Sequence, residues 1–141
     1  MHHVPHRPLR DGEDMFRVIL VDDQPIFRDI IRGVLQRTGR FQFIGEAADG
    51  AEAVDLYNRV MPDVVVMDVQ MPSMTGFEAT VRIREQHPEA VIILTSMQSD
   101  AGFARIAVES GARGFVPKRH VDADSVLSLL DDEPEQAYLA A

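Results

Sequence analysis

The side chains of this chain that are best suited to chemistry stand at or just after the ends of apolar runs. Asp22 and Asp23 follow FRVILV, Asp68 follows VVVM, Thr95 ends VIILT, and Lys118 follows GFVP. Asp is among the residues least suited to strands, so a carboxylate in this place indicates either a site residue or a loop residue. Lys118 is also the only lysine of the 141-residue chain, whose other basic side chains are arginines.

Such side chains, brought together, could bind a metal ion and accept a phosphoryl group. Three neighbouring carboxylates repel one another, so either their pKa values rise or a cation joins them. Few and hard oxygen ligands suit Mg²⁺, which keeps several waters and leaves room for a phosphoryl group. The charges of Mg²⁺ and one lysine ammonium would balance three carboxylates, one of which could then act as a nucleophile.

Five apolar, β-branched runs alternate with five segments of helical periodicity, in the order strand then helix throughout. The predicted strands are 16–21, 41–48, 64–67, 91–95 and 114–117. The predicted helices are 24–38, 50–60, 75–86, 100–110 and 122–131. Central strands that are apolar on both faces indicate a parallel sheet covered by helices. Ligands of such open sheets bind beyond the carboxyl ends of the strands, where all the candidate site residues stand.

The first helix is predicted to pack one apolar face on the core and to end near Gly39. Helical spacing places on that face Ile26, Ile30, Ile31, Val34 and Leu35. Because Pro25 suits the first position of this helix, Asp22 and Asp23 could also be no more than caps. Lys118, taken alone, could likewise be an ordinary solvated lysine.

Composition favours one globular domain that contacts neither nucleic acid nor membrane directly. The net charge is −9, and no basic stripe of the kind that nucleic-acid binders carry is visible. No apolar run approaches the ~18–20 residues that span a bilayer, and the N-terminus has no apolar signal-peptide core. Because cysteine is absent, we expect a cytoplasmic protein. The predicted organisation is a flexible extension over 1–15, a domain over 16–131 and an acidic tail over 132–141.

Four motifs together resemble the receiver domain of bacterial two-component response regulators, the CheY-like superfamily. They are VDD at 21–23, DVQMPSMTG at 68–76, LTS at 94–96 and GFVPK at 114–118. The resemblance covers about 16–131 and is closest in character to receivers joined to helix-turn-helix domains. It implies a doubly wound, flavodoxin-like (βα)5 fold of the α/β class, with helices on both faces of a parallel sheet. The strand order 2-1-3-4-5 comes from this resemblance and makes strands one and three neighbours.

The resemblance also implies how the acidic residues divide the work. Asp68 would be the phosphoacceptor and one of the ligands of Mg²⁺. Asp23 would bind the ion directly, and Asp22 would support it through water. The backbone carbonyl of Gln70 would supply a further ligand.

The remaining site residues would respond to the phosphoryl group. Thr95 would hydrogen-bond a phosphoryl oxygen, Lys118 would pair with the phosphate, and Phe115 would change rotamer as Thr95 moves. The donor would be a sensor histidine kinase or a histidine phosphotransfer protein. The surface formed by about 99–131 would then bind a downstream protein target, or a second phosphorylated copy of the chain.

Two alternative functions stay open beside this one. The chain could be the excised receiver of a DNA-binding transcriptional regulator, in keeping with its PK motif. It could also be a Mg²⁺-dependent phosphatase with an Asp nucleophile and a separate substrate. Haloacid-dehalogenase-like enzymes of that kind carry a D-x-D pattern after their first strand, which VDDQ does not provide. We therefore expect a signalling phosphoacceptor that assists its own phosphorylation and dephosphorylation, and not an enzyme.

Overall fold

Five parallel strands form the central sheet of the protein, and helices cover both of its faces. The computed structural model describes residues 15–98 and 101–131. The strands are β1 (Phe16–Val21), β2 (Phe41–Ala47), β3 (Val64–Asp68), β4 (Ile92–Ser96) and β5 (Gly114–Pro117). The helices are α1 (Pro25–Gln36), α2 (Gly50–Val60), α3 (Gly76–Gln86), α4 (Ala101–Glu109) and α5 (Ala123–Asp131). The strands lie in the order β2-β1-β3-β4-β5, so the predicted doubly wound fold is confirmed.

The predicted elements match the observed ones to within two residues at every end. One short element was not predicted, a 3₁₀ turn over Lys118–His120 that directly follows β5. The predicted N-terminal extension, apart from Met15, and the predicted acidic tail lie outside the described residues. None of the described helices has the length and apolar character that a membrane span requires.

Two apolar clusters, one on each face of the sheet, fix the strands in place. Val18 and Leu20 of β1 pack with α1 and α5, whereas Ile19 and Val21 pack with α2, α3 and α4. The same alternation continues along β3 and β4, in which every residue is buried. Removing apolar surface from water on both faces stabilises these central strands most, so their carboxyl ends are rigid positions.

The apolar face predicted for α1 is wrong in part. Ile31 and Leu35 are buried as expected, but Ile26 and Ile30 keep 63% and 51% of their surface exposed. Consecutive helical residues point about 100° apart. Because Ile31 and Leu35 face the sheet, Ile30 is turned toward solvent, and Ile26, one turn before it, shares that outer side.

The start of α3 lies unusually close to the end of β3. Thr75 caps α3 through reciprocal hydrogen bonds with Glu78, and the Gly76 N–H donates to the Val69 carbonyl over 2.7 Å. A Cβ atom on Gly76 would clash with the carbonyl oxygen of Asp68 and would lie 3.0 Å from the Val69 Cα. Only glycine allows this approach, so Gly76 helps to fix where Asp68 lies.

We predict that Gly76→Ala destabilises the protein by about 2–4 kcal/mol, because the added methyl group meets backbone atoms that cannot rotate away. Gly33→Ala is the matched control, since a Cβ at this exposed position on α1 would contact nothing within 4 Å. We expect that control to gain roughly 0.5–1 kcal/mol. Urea unfolding measures both values, and a Gly76→Ala variant as stable as the parent would contradict the close approach.

Candidate functional site

The ends of β1 and β3 are neighbours, and this brings three carboxylates together. Val21 pairs with Met67 across the two strands, so Asp22 and Asp68 follow side by side. One carboxylate oxygen from each of Asp22, Asp23 and Asp68 lies within 4.8 Å of the others. Asp22 and Asp68 are only 2% and 5% exposed, whereas Asp23 is open to solvent. The three acids that the sequence singled out therefore form one cluster.

Strands β4 and β5 add a hydroxyl group and an ammonium group to this edge of the sheet. Thr95 pairs with Asp68 across β3 and β4. The Lys118 Nζ atom lies 2.7 Å from Asp22 Oδ2 and 3.5 Å from Asp68 Oδ2. The lysine side chain is only 5% exposed, so the alternative of a solvated surface lysine is wrong. The five polar residues predicted for the site therefore all lie at the carboxyl ends of β1, β3, β4 and β5.

Burial raises the pKa of Asp68 from its ordinary 3.8 to about 6. Desolvation is the largest cause, and the neighbouring Asp22 carboxylate raises the pKa further. The Lys118 ammonium and the Gln70 backbone N–H, which donates to the Asp68 carboxylate, both lower it, and Asp23 raises it again. One ammonium group thus fails to offset three carboxylates, and the site favours additional positive charge.

The donor set fits a magnesium ion. Carboxylate oxygens are the hard ligands that Mg²⁺ prefers, and the ion uses only one or two of them in many phosphoryl-transfer sites. Asp23 is solvent-exposed and beside two buried acids, which would let bound water complete the coordination. Asp22, Asp23 and Asp68 are therefore the side chains that could hold the ion.

The hydroxyl group of Thr95 is buried without a hydrogen-bond partner among the residues that the structure describes. Leaving such a group unpaired costs about 1–3 kcal/mol, so each case in a native protein calls for a specific explanation. Thr80, which is equally buried, does donate to a backbone carbonyl, that of Gly76, over 2.8 Å. An anionic oxygen bound to Asp68, the register partner of Thr95, would supply the missing acceptor.

The two carboxylate oxygens of Asp22 have different partners. Oδ1 accepts a hydrogen bond from the Gln24 N–H at 3.0 Å, and Oδ2 faces Lys118. The guanidinium group of Arg28, on α1, donates to the Asp22 carbonyl and to the Glu46 carboxylate on β2 at 2.7 Å. The N-cap residue of α1 is Gln24, with no side-chain capping hydrogen bond, so the alternative that Asp22 and Asp23 only cap this helix is wrong. Contacts of Arg28 with the Asp22 carbonyl and with Glu46 hold the loop to α1 and β2.

Two further predicted residues flank the cluster. Gln70 follows β3 and is exposed, and its carbonyl remains a predicted metal ligand. Phe115 is buried in β5, where its ring meets that of Phe103 on α4 edge to face, with centroids 5.9 Å apart. Phe103 meets Phe77 on α3 in the same way at 5.7 Å. The predicted switch residue thus belongs to a row of three aromatic rings.

Sequence reasoning missed Phe27 and Arg28. The Lys118 Nζ atom lies over the Phe27 ring, 3.9 Å from its centroid. A phenylalanine in the first turns of an amphipathic helix predicts core packing and nothing more. No sequence pattern indicates its contact with a lysine that is distant in the chain. Arg28 carried a weak signal only, its position soon after the acidic pair.

Comparison with known proteins agrees with this fold. Residues 18–131 match the family described as response regulator receiver domain. The transcriptional regulatory protein DegU of Brevibacillus brevis is 29% identical over 119 residues, which cover 84% of this chain and 50% of DegU. The chemotaxis protein CheY of Listeria monocytogenes is 35% identical over 117 residues, which cover 83% of this chain and 97% of CheY.

A solved structure, that of the CheX–CheY–BeF3–Mg complex from Borrelia burgdorferi, matches with a TM-score of 0.75 and 29% identity. The match covers 85% of this chain and 90% of that one. This chain spans half the length of DegU but nearly all of the Listeria CheY. With the family match over 18–131, these findings show that the chain belongs to the receiver-domain family of two-component response regulators.

Proposed function

We propose that this receiver accepts a phosphoryl group on Asp68 from the phosphohistidine of a sensor histidine kinase or a histidine phosphotransfer protein. A carboxylate oxygen of Asp68 attacks phosphorus, and the P–N bond to the imidazole breaks as the new P–O bond forms. One observation carries the proposal: the buried Asp68 has as its register partner Thr95, whose buried hydroxyl group has no hydrogen-bond partner within the described part of the chain. A phosphoryl group on Asp68 would lie between that hydroxyl and the Lys118 ammonium.

We further propose that the reaction depends on magnesium. Asp22, Asp23 and Asp68, together with the Gln70 carbonyl, are the groups that would hold the ion. When bound, Mg²⁺ would supply the positive charge that offsets the carboxylates and the oxygens of the incoming phosphoryl group. The raised pKa of Asp68 supports this proposal, as does the BeF3–Mg complex of the similar Borrelia protein.

The transferred charge would then rearrange the neighbouring loop. Lys118 would exchange its contact with Asp22 for one with the phosphoryl oxygens, and the Thr95 hydroxyl would donate to another of those oxygens. Phe115 would follow Thr95, and the surface built from α4, β5 and α5 would change for a downstream protein target or for a second phosphorylated copy. Such a local change of charge can bias a two-state element.

We propose a cytoplasmic signalling domain over 16–131 that is no enzyme toward separate substrates. Phosphatases with an Asp nucleophile of the haloacid-dehalogenase kind carry a D-x-D pattern after their first strand, and VDDQ at 21–24 does not provide it. Because the chain spans half of DegU, a transcriptional regulatory protein, the receiver of a DNA-binding regulator is the alternative setting.

We predict that Mg²⁺ and a small phosphodonor such as acetyl phosphate add a single phosphoryl group, which intact-mass spectrometry detects. Hydroxylamine should remove the adduct, because it cleaves acyl phosphates, and a chelator should prevent its formation. Asp68→Asn should abolish the adduct. The matched control is Asp63→Asn, because Asp63 is also buried but lies at the opposite end of β3.

Two outcomes would contradict the proposal. One is an adduct that persists in Asp68→Asn, which would place the phosphoryl group elsewhere. The other is steady turnover of phosphomonoesters with no adduct, which would support the phosphatase.

We predict that Asp68→Asn raises the free energy of unfolding at pH 7, without Mg²⁺, by on the order of 1 kcal/mol. A carboxyl group whose pKa is higher in the folded protein, about 6 against 3.8, binds protons preferentially in the folded state. Its stabilising contribution is present below pH 3.8 and is lost as the pH rises through 6.

The increase in the free energy of unfolding caused by Asp68→Asn should therefore disappear near pH 4. At pH 7, Mg²⁺ should reduce this increase, because the ion would stabilise the parent protein. Urea unfolding at the two pH values measures it. A variant less stable than the parent at pH 7 would show that the carboxylate is not under the repulsion described above.

We predict that Thr95→Val leaves the stability of the unphosphorylated protein unchanged, or raises it by up to about 1 kcal/mol, because none of the described residues forms a hydrogen bond with that hydroxyl group. Thr80→Val, which removes a bonded buried hydroxyl, should cost about 1 kcal/mol in the same assay. Only Thr95→Val should also suppress the NMR shift changes that phosphorylation causes in β5 and α5. A large loss of stability in Thr95→Val would mean that its hydroxyl already has a structural partner.

A further inference from the structure

We propose that Phe27 is a positioning residue, whose aromatic face holds the ammonium group of Lys118 beside Asp68. The inference rests on the proposed function, because the position of Lys118 matters most when a phosphoryl group arrives. Among residues 15–98 and 101–131, three groups contact the ammonium group, namely the Asp22 carboxylate at 2.7 Å, the Asp68 carboxylate at 3.5 Å and the Phe27 ring centroid at 3.9 Å. The ring is the only uncharged member of the three.

The ring contact is of the kind that attracts cations strongly. An ammonium group over the face of an aromatic ring is drawn to its quadrupole, and the attraction grows when water is excluded. Here the lysine side chain is 5% exposed and Phe27 is half-buried. The short separation and the exclusion of water both indicate a strong contact.

The Phe27 contact also differs from the carboxylate contacts in what can compete for it. Asp22 and Asp68 are the groups that a cation or a phosphoryl group would engage, so their attraction for Lys118 falls when the site is used. The quadrupole of Phe27 is not engaged by either ligand. The ring can therefore hold the ammonium group near Asp68 while its carboxylate partners change.

Helix α1 fixes the ring relative to the acids. The Phe27 N–H donates to the Gln24 carbonyl at 3.0 Å in the first turn. The next residue, Arg28, donates to the Asp22 carbonyl and pairs with Glu46 on β2. Two consecutive residues of α1 thus contact the site: Arg28 binds the backbone of Asp22, and Phe27 contacts the ammonium group of Lys118.

A ring that merely fills space would give the same packing, so the test must change the electrons of the ring and keep its shape. Phe27 is replaced by 4-fluoro-, 3,5-difluoro- and 3,4,5-trifluorophenylalanine, which withdraw density from the ring face stepwise. Phe27→Trp retains a cation-binding face, and Phe27→Leu removes it. The same fluorinated residues at Phe41 provide the matched control. Phe41 packs against Phe16 at the amino ends of β1 and β2, away from the site.

Two measurements are made on each variant. The first is the rate of phosphorylation by acetyl phosphate at saturating Mg²⁺. The second is the ¹³Cε–¹Hε NMR signal of selectively labelled lysine, which is a single signal because Lys118 is the only lysine. In the parent protein the Phe27 ring should shift that signal upfield, and thermal unfolding confirms that each variant is folded.

We expect the phosphorylation rate to fall stepwise along the fluorinated series, by a total of roughly 3- to 30-fold. Phe27→Leu should match the end of the series and return the lysine signal toward its unshifted position, whereas Phe27→Trp should retain both the rate and the shift. The Phe41 variants should stay at the parent rate.

A flat rate along the series, with the parent protein phosphorylated normally, would overturn the inference and leave the proposed function intact. The same holds if Phe27→Leu is slow but the fluorinated variants are not, because packing would then explain the loss. A parent protein that accepts no phosphoryl group would instead remove the proposed function, and this inference with it.

Discussion

The interaction on which this structure depends is the repulsion among carboxylates that the fold gathers at one edge of its sheet. Two of the three acids are nearly inaccessible to water, so solvent cannot screen them as it screens surface charges. A single lysine offsets part of this charge and is itself buried by doing so. Burial is the largest cause of the raised pKa of Asp68, and the Asp22 carboxylate raises that pKa further. A cation at this site would relieve the repulsion among the carboxylates.

The residues packed around the carboxylates hold them in place in spite of this excess of negative charge. The buried strands β3 and β4 fix Asp68 and Thr95 in register, and Gly76 lets α3 pack directly on the Asp68 backbone. On the other side, Arg28 ties the Asp22 loop to β2. Backbone contacts and apolar packing therefore position the acids, and their carboxylate groups remain available to bind a ligand.

Much of the fold and most of the site could be predicted from the sequence, for different reasons. Strands such as Phe16–Val21 and Gly114–Pro117 are bounded by clear changes of composition, and polar residues at their ends stand out. The strand order needed the family resemblance, because local periodicity carries no information on which strands pair. Ile26 and Ile30 were assigned to the core because spacing reveals an apolar stripe but not how wide a stripe the sheet can cover. Phe27 was missed because its partner, Lys118, is distant in sequence.

The row of rings formed by Phe77, Phe103 and Phe115 has a consequence for how far a change in β5 can extend. The rings meet edge to face at 88° and 89°, so in each pair the edge of one ring meets the face of the other. A rotation of Phe115 would change its contact with Phe103 on α4, and Phe103 in turn contacts Phe77 on α3. A rearrangement of one buried ring in β5 would thus reach two helices on the same face of the sheet through side-chain contacts alone.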